Sequence, residues 1–452
     1  MAHKELTQGV NSTEGSVVRG IVRFSLPYLL SYLLQTLYGM ADLFIIGQFD
    51  PVAATTAVSI GSQVMHILTV ILVGLAMGAT VSIGQAVGAK KDTSPYIGGT
   101  VTLFLALSIV LAGILCALIR PITSVMATPA EAVDGTVSYL LVCFLGIPFI
   151  TAYNIISSIF RGMGDSRRPM YFIAVACVCN IALDYLFIGA LSLGPTGAAL
   201  GTTIAQAISV LLSLLVIRSH GKEMGIRLQK RDLVPDKAVL GRILRIGFPI
   251  AMQDGLIQIA FIIITVIANR RGLNDAAAVG IVEKFISFVF LVPSSMLSTV
   301  SALGAQEVGA GRHDRASATL RYGIGITLGF GAVAAVLVQF IAPNVVGLFT
   351  ADAAVIAAGA WYLRGYIFDC FFAGVHFSFS GYFCAYGRSE LSFIHNILSI
   401  VLVRVPGAYL TSKLFPDNLL PMGLATACGS LLSVIVCLVM YTVLKRKGSF
   451  GG

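Results

Sequence analysis

The stretch from 169 to 191 reads PMYFIAVACVCNIALDYLFIGAL, an apolar run with Asn180 and Asp184 near its middle. It is long enough to cross the hydrocarbon core of a bilayer as one helix, which takes about 20 apolar residues. An aspartate at the centre of such a helix costs about 2.5–3.5 kcal/mol on insertion scales. The stretch therefore predicts a membrane helix that carries a polar pair, whose cost the rest of the protein must offset.

The composition extends this prediction to the whole chain. Of its 452 residues 57% are hydrophobic and 11% are charged, whereas a soluble domain carries about 25% charged residues. The runs are too long for strands and lack the period-two alternation of a membrane barrel. We therefore predict an all-α polytopic membrane protein with twelve transmembrane helices. The predicted spans are 20–47, 53–81, 97–119, 133–160, 169–191, 196–218, 240–268, 276–306, 321–342, 354–385, 391–414 and 420–444.

Lysine and arginine residues are distributed unevenly among the predicted loops. The loops on the side of the N terminus carry 23 of them, and the opposite loops carry only four. The positive-inside rule places the crowded side in the cytoplasm, and an even number of spans puts both termini there. The net positive charge of the chain is thus a topology signal and does not indicate nucleic-acid binding.

The chain also contains an internal repeat. AVSIG and GQAVGAKK in the first half match AVGIV and AQEVGAGR in the second, and Pro27 matches Pro249. Six helices in each half make the repeats parallel, as in carriers that open alternately to each side, although a channel or an enzyme can also retain a duplication. We predict two pseudo-symmetric six-helix lobes, an N-lobe at 1–217 and a C-lobe at 240–452, joined by a basic cytoplasmic linker at 218–239.

Oxygen-bearing side chains of the N-lobe form a candidate cation site. Asn180 and Asp184 share one helix face, and the next helix opens with GPTGAALGTT, which brings Thr202 and small residues such as Ala198 that leave a carbonyl available. The first helix brings Asp42, fifteen residues after a helix-breaking proline. Oxygen ligands suit hard cations such as Na⁺, whereas paired carboxylates can instead share a proton. Binding of Na⁺, of H⁺ or of both in competition is therefore expected, with a buried hydrogen-bond network as the alternative.

These residues, with GQAVGA after the second helix, FRGMGDSRRP after the fourth and GPTGAALGT into the sixth, resemble the multidrug and toxic compound extrusion (MATE) family on its prokaryotic DinF-like branch. The resemblance covers essentially all twelve helices. It implies a cation-coupled antiporter that exports organic, often cationic, compounds across a bacterial or archaeal cell membrane. It assigns the cation to Asp42, Asn180, Asp184, Thr202 and the Ala198 carbonyl, and suggests a hinge in the first helix at Pro27.

The second half departs from the first. The positions that match Asp42, Asn180 and Asp184 are about Ile264, Val403 and Gly407, so we expect the C-lobe to lack this site. Charged residues inside its predicted helices are candidates for a substrate or coupling role, and the arginine among them is expected to pair with one of the acids. These candidates are Asp254, Glu283, Asp369 and Arg404.

Aromatic residues are candidates for lining a substrate cavity, because ring faces attract flat cations. Ordinary packing is the alternative for any one of them. The candidates are Tyr38, Tyr153, Phe288 and Tyr382.

Other classes of function fit the sequence less well. It holds no GxxxxGK[ST] nucleotide motif and no HExxH or GxSxG enzyme motif. We expect no cofactor apart from the coupling cation, a small organic molecule as substrate, the lipid bilayer as surroundings, no nucleic-acid partner and a monomer. The alternatives are a lipid or lipid-linked-precursor flippase of the same superfamily and, from a different class, a membrane-embedded enzyme.

Overall fold

The computed structural model describes residues 15–221, 226 and 229–450, so that linker residues 222–225, 227 and 228 lie outside the description. Throughout the described ranges, all regular secondary structure is helical. The predicted all-α class is therefore confirmed.

Eleven of the described helices are long and apolar enough to span a membrane, and two further helices that meet at a bend of 49° together form a twelfth candidate. The spans are α1 Val17–Phe49, α2 Val52–Gly88, α3 Ser94–Ala117, α4 Ala130–Leu145 with Ile147–Gly162, α5 Arg167–Ala190, α6 Gly194–His220, α7 Lys237–Asn269, α8 Leu273–Gly309, α9 His313–Gly347, α10 Ala353–Ala385, α11 Ser389–Leu414 and α12 Leu420–Arg446. Each predicted run overlaps one of them. The helices extend past the apolar runs, most clearly in α9, because hydropathy marks the hydrocarbon region and a helix continues into its polar flanks.

The bend in α4 has a local cause. The first part ends at Leu145, and the second part begins at Ile147 with Pro148 in its first turn. A proline lacks the backbone N–H that would continue the hydrogen bonds of the preceding helix, but it is tolerated at the start of a new one. The chain therefore changes direction here within a single span.

Two spans contain a π-helical turn. In α5 the turn Tyr185–Ala190 begins directly after Asp184, and in α11 the turn Ile400–Arg404 ends on a residue that the sequence singles out. A π turn adds one residue to the helix and changes which side chains share a face, and such turns are frequent at functional sites. Both turns therefore adjust the direction of polar side chains buried in membrane helices.

The described chain forms two compact units. The first unit comprises Leu26–Gly247, and the second comprises 248–450 together with 15–25. Helices α1 and α7 each divide between the units, close to their prolines. The predicted lobe boundaries rest on hydropathy and on the repeat, which carry no information about the packing of the first turns of α1 and α7.

Glycine residues allow α10 and α12 to pack backbone against backbone in the second unit. A Cβ atom on Gly365 would lie 2.6 Å from the Leu420 carbonyl oxygen, and one on Gly423 would overlap the Tyr362 carbonyl oxygen. Small residues at such crossings let membrane helices approach closely. This crossing holds together the two helices that carry Asp369 and its neighbours.

The described end of the linker is fixed to the first unit. Residues Lys230–Leu233 form a short 3-10 helix. The Thr102 hydroxyl of α3 donates a hydrogen bond to the Leu233 carbonyl oxygen at 2.8 Å, and a Cβ atom on Gly98 would overlap the Asp232 carbonyl oxygen. The basic linker is thus ordered at the point where it enters α7.

The connection between α7 and α8 stabilises the end of α11 through one arginine. Arg271 donates from Nε to Asp275 Oδ2 at 2.7 Å, from Nη1 to the Ser412 carbonyl at 2.7 Å and from Nη2 to the Pro416 carbonyl at 2.7 Å. Helix C-termini leave carbonyl groups without intrahelical partners. Arg271 satisfies such groups at this end of the second unit.

We predict that Arg271→Ala destabilises the second unit by about 1–3 kcal/mol, because these carbonyl groups lose their donors. The measurement is the thermal unfolding midpoint of the purified protein in detergent. Arg270→Ala is the matched control, since the neighbouring Arg270 is exposed. Equal midpoints for the two variants would contradict the assigned role of Arg271.

Candidate functional site

Helices α1, α5 and α6 bring the predicted oxygen ligands of the first unit together. Asp42 comes from α1, Asn180 and Asp184 from α5, and Thr202 from α6, and none of the four is more than 9% exposed. Ala198, in the first turns of α6, is also fully buried. The four polar side chains therefore lie inside the unit and do not face lipid.

Hydrogen bonds connect three of these side chains. The Thr202 hydroxyl donates to Asp42 Oδ2 at 3.0 Å, and Asn180 Nδ2 donates to Thr202 Oγ1 at 3.5 Å. Within this cluster, the charge on Asp42 and the charge on Asp184 act on each other. Two carboxyl groups buried in one cluster of low dielectric constant do not both remain ionised without a neutralising partner.

The same cluster leaves buried acceptors unsatisfied. Asp42 Oδ1, Asn180 Oδ1 and both carboxylate oxygens of Asp184 accept no hydrogen bond from any described residue. A buried polar atom without a partner costs about 1–3 kcal/mol, and more when it is charged. The donor set consists only of oxygen atoms, which fits a hard cation such as Na⁺; a proton shared by the carboxyl groups would serve the same purpose.

Gly201 on α6 shapes this cluster. A Cβ atom at this position would overlap Asp184 Oδ1 and would lie 3.6 Å from Asn180 Nδ2. The small residues of GPTGAALGTT thus do more than let two helices approach, because this glycine leaves the space that the Asp184 carboxyl group fills. Sequence spacing alone did not single out Gly201.

A transition-metal centre is not found in the described ranges, where no three His, Cys, Asp or Glu side chains gather as metal ligands. The cysteine residues are all free. The candidate site therefore rests on two carboxyl groups, an amide and a hydroxyl, a set that has no preference for soft metals.

In the second unit, a buried ion pair takes the place of such a cluster. Arg404 Nη2 donates to both carboxylate oxygens of Asp369, at 2.8 and 2.9 Å, and to Ser430 Oγ at 2.9 Å. Asp369 is fully buried and Arg404 is 9% exposed. An internal guanidinium group therefore neutralises this carboxylate.

The other two acids of the second unit are not joined to that pair. Glu283 Oε2 accepts a hydrogen bond from the Thr265 hydroxyl at 3.2 Å, while its Oε1 has no partner among the described residues. Asp254 is half-buried beside Gln253 on α7. The four candidates of this half thus lie in three local environments, because Asp369 and Arg404 share one.

Comparison with known proteins gives the family. The MatE family model matches residues 27–186 and 249–410, which are corresponding parts of the two halves. The chain belongs to the MatE family. It is a multi-pass transporter of the MATE multidrug efflux family and not an enzyme.

Named relatives and a solved structure are similar along most of their length. The probable multidrug resistance protein YoeA of Bacillus subtilis is 30% identical over 75% of this chain and 74% of its own. The multidrug export protein MepA of Staphylococcus aureus is 25% identical over 95% of each chain. An outward-facing MATE family transporter of the MOP superfamily has 22% identity and a TM-score of 0.90, over 98% of this chain and 99% of its own. That structure bears on the fold alone.

Pro27 lies inside α1 of this MATE chain, and the helix continues through it. The Ser31 hydroxyl donates to the Pro27 carbonyl oxygen at 2.8 Å. Next along the helix, the ring of Tyr28 lies 3.8 Å from the guanidinium carbon of Arg161, which is itself buried. The α1 proline is therefore flanked by a cation–π contact that the sequence patterns did not reveal.

The predicted cavity aromatics of the MATE chain have different surroundings. Tyr153 is 2% exposed, and its hydroxyl donates to the Pro169 carbonyl at 3.4 Å. Tyr382 is fully buried among other rings, with Tyr386 at 4.9 Å between centroids. Tyr38 and Phe288 are half-buried. The contacts of Tyr153 and Tyr382 are those of ordinary packing, the alternative to a place in the cavity lining.

A buried acid that sequence reasoning missed is Glu307. It is 2% exposed, and the Thr319 hydroxyl lies 3.0 Å from Oε1 and 2.8 Å from Oε2. Arg315 Nε is 3.9 Å from Oε1. The repeat aligns Glu307 with Ala86, and the predicted span ended one residue earlier, so neither pattern pointed to it.

We predict that Asp369→Asn destabilises the MATE chain by about 3–5 kcal/mol, because it leaves a buried guanidinium group without its counter-charge. Adding Arg404→Gln should recover part of this loss, as read from thermal unfolding midpoints in a double-mutant cycle. The half-buried Arg388–Glu390 pair is the control, and Glu390→Gln should change stability by less than about 1 kcal/mol. Additive effects of Asp369→Asn and Arg404→Gln would show that the pair is not coupled.

Proposed function

We propose that this MATE transporter is a secondary antiporter, which exports organic and often cationic compounds in exchange for Na⁺ or H⁺ by alternating access. The observation that carries the proposal is the set of buried oxygen atoms on Asp42, Asn180 and Asp184 that no described residue satisfies. The names of two relatives support the substrate class, since YoeA is called a probable multidrug resistance protein and MepA a multidrug export protein.

In this proposal Asp42, Asn180, Asp184 and Thr202 hold the cation, with the Ala198 carbonyl as a further ligand. The cation supplies the positive charge that the two carboxyl groups lack. A proton on one carboxyl group would reduce the charge of the cluster in the same way. Na⁺ and H⁺ therefore compete for one site, and the pair titrates as a unit.

In the proposed transport cycle, the decisive step is neutralisation of the Asp42 and Asp184 carboxyl groups by the cation. With the site open outward, a cation enters and the organic compound leaves; with the site open inward, the cation leaves and a new compound binds. Coupling requires only that occupancy by one ligand disfavours the other. Bending of α1 at Pro27 is one movement by which a change of charge at Asp42 would be transmitted.

The available driving force sets the scale of export. One pH unit is worth about 1.4 kcal/mol, which is tenfold in concentration, and moving one charge through 100 mV is worth about 2.3 kcal/mol. A neutral compound exchanged for one cation would use both contributions and reach a gradient of several hundredfold. A monovalent cationic compound exchanged one for one would cancel the voltage contribution.

The proposed location is a bacterial or archaeal inner membrane with both termini in the cytoplasm and the chain acting as a monomer. The support for this orientation is the uneven distribution of charge, with 23 lysine and arginine residues on one side against four on the other.

The test is efflux of a cationic dye from proteoliposomes, driven separately by an imposed Na⁺ gradient and an imposed pH gradient. We predict that Asp184→Asn abolishes gradient-driven efflux, because it replaces one of the two carboxyl groups that attract the cation by a neutral amide. Efflux at the wild-type rate under both gradients would overturn the proposal. Movement of lipid without any dependence on a cation would instead favour a flippase.

A second variant changes only the shape of the site. Gly201→Ala adds a methyl group that collides with the Asp184 carboxyl group, so we predict loss of at least about tenfold in the rate of efflux. Gly329→Ala is the matched control, because a Cβ atom there meets nothing within 4 Å. Equal rates for the two glycine variants would show that the space beside Asp184 is not needed.

A further inference from the structure

A cavity in the second unit lies beside the Asp369–Arg404 pair. Its volume is about 50 Å³, and its walls come from α7, α8, α10, α11 and α12. By this measure a single water molecule needs about 10–15 Å³, so the cavity has room for several water molecules or for one small organic ligand in their place. The antiport proposed above does not use this cavity.

The charge that faces the cavity is positive. Arg404 is among the lining residues, and the described residues of the lining include no aspartate or glutamate. Asp369 is fully buried behind Arg404, with both of its oxygen atoms occupied by Arg404 Nη2. The cavity therefore meets the guanidinium group and not the carboxylate that balances it.

Arg404 has donors to spare. All three of its hydrogen bonds to described residues use Nη2, so no described residue accepts a hydrogen bond from its Nε or Nη1 groups. A guanidinium group carries five N–H donors in a planar fork that matches carboxylate oxygens. An arginine fixed by one nitrogen and lining a cavity with the others is arranged to bind an oxyanion.

His376 adds a second donor. Its Nε2 lies 3.3 Å from Ser430 Oγ, which already accepts a hydrogen bond from Arg404 Nη2. In the tautomer that carries its proton on Nδ1, the imidazole accepts the Ser430 hydroxyl hydrogen at Nε2 and offers the Nδ1–H group as a donor. His376 is 3% exposed and lines the cavity, and its Nδ1 has no partner among the described residues.

Aromatic side chains also line the cavity. They are Phe261, Phe290 and Phe377, and the rings of Phe290 and Phe377 meet edge to face at 6.2 Å between centroids. A ligand that satisfies both the donors and the rings has a flat apolar body and a small anionic end. Aromatic side chains favour rings at such distances.

We infer that this cavity binds the carboxylate end of an aromatic organic acid, with Arg404 and His376 as donors and the three phenylalanine rings as the wall for its ring. The site is in the second unit and takes a negative charge, so it goes beyond the exchange of cations proposed above.

The test uses three probes of nearly one shape: benzoate, neutral benzamide and cationic benzamidinium. Each is titrated by calorimetry into the purified full-length chain in detergent at constant ionic strength. We predict saturable binding of benzoate, at least about tenfold tighter than benzamidinium. Equal or tighter binding of benzamidinium, or no binding of benzoate to the wild-type chain, would overturn the inference.

Variants identify the site. Arg404→Gln should weaken benzoate binding by at least about tenfold, and Arg364→Gln, on α10 but outside the lining, should leave it unchanged. Because Arg404→Gln removes the partner of Asp369, Ala260→Leu provides an independent test, since it fills the cavity and leaves the ion pair intact. Wild-type affinity for benzoate in a folded Ala260→Leu variant would contradict the assignment.

The test of the anion site is independent of the test of the proposed antiport. The titrations involve no ion gradient, and Asp184→Asn should bind benzoate as tightly as the wild-type chain. Loss of benzoate binding in Asp184→Asn, with Arg404→Gln unaffected, would move the anion site away from the cavity and overturn the inference.

Discussion

Two carboxyl groups, on Asp42 and Asp184, are buried in one cluster among membrane helices, and the described residues supply too few donors to satisfy them. In water this arrangement would cost little, but in a medium of low dielectric constant it requires a counter-charge or a proton. The Thr202 hydroxyl, the Asn180 amide and the space left by Gly201 position the oxygen atoms without removing that requirement. The cluster therefore requires a neutralising cation or proton in addition to these groups.

The two units solve the same electrostatic problem in different ways. The first unit leaves its buried carboxyl groups without a charged partner among the described residues, whereas the second pairs Asp369 with Arg404. The two halves of the duplicated chain thus differ in how they balance buried acids. Each site lies next to a π turn that breaks the regular helix.

Much of the fold could be predicted from the sequence, because apolar runs of about 20 residues have few structural options in a bilayer. The grouping of Asp42 with α5 and α6 also followed from helical spacing and family resemblance. Other features depend on packing that no local pattern encodes: the partner of Arg404, the contact between Gly201 and Asp184, and the buried Glu307. The π turns likewise reflect tertiary packing and have no recognisable sequence signal here.

The most direct measurement is the number of protons released when Na⁺ is added to the purified chain in a weak buffer at neutral pH. If Na⁺ and H⁺ compete for the carboxyl pair, the wild-type chain releases protons on Na⁺ addition, and the double variant Asp42→Asn/Asp184→Asn releases none. Equal release from the wild-type chain and the double variant would contradict competition at this pair.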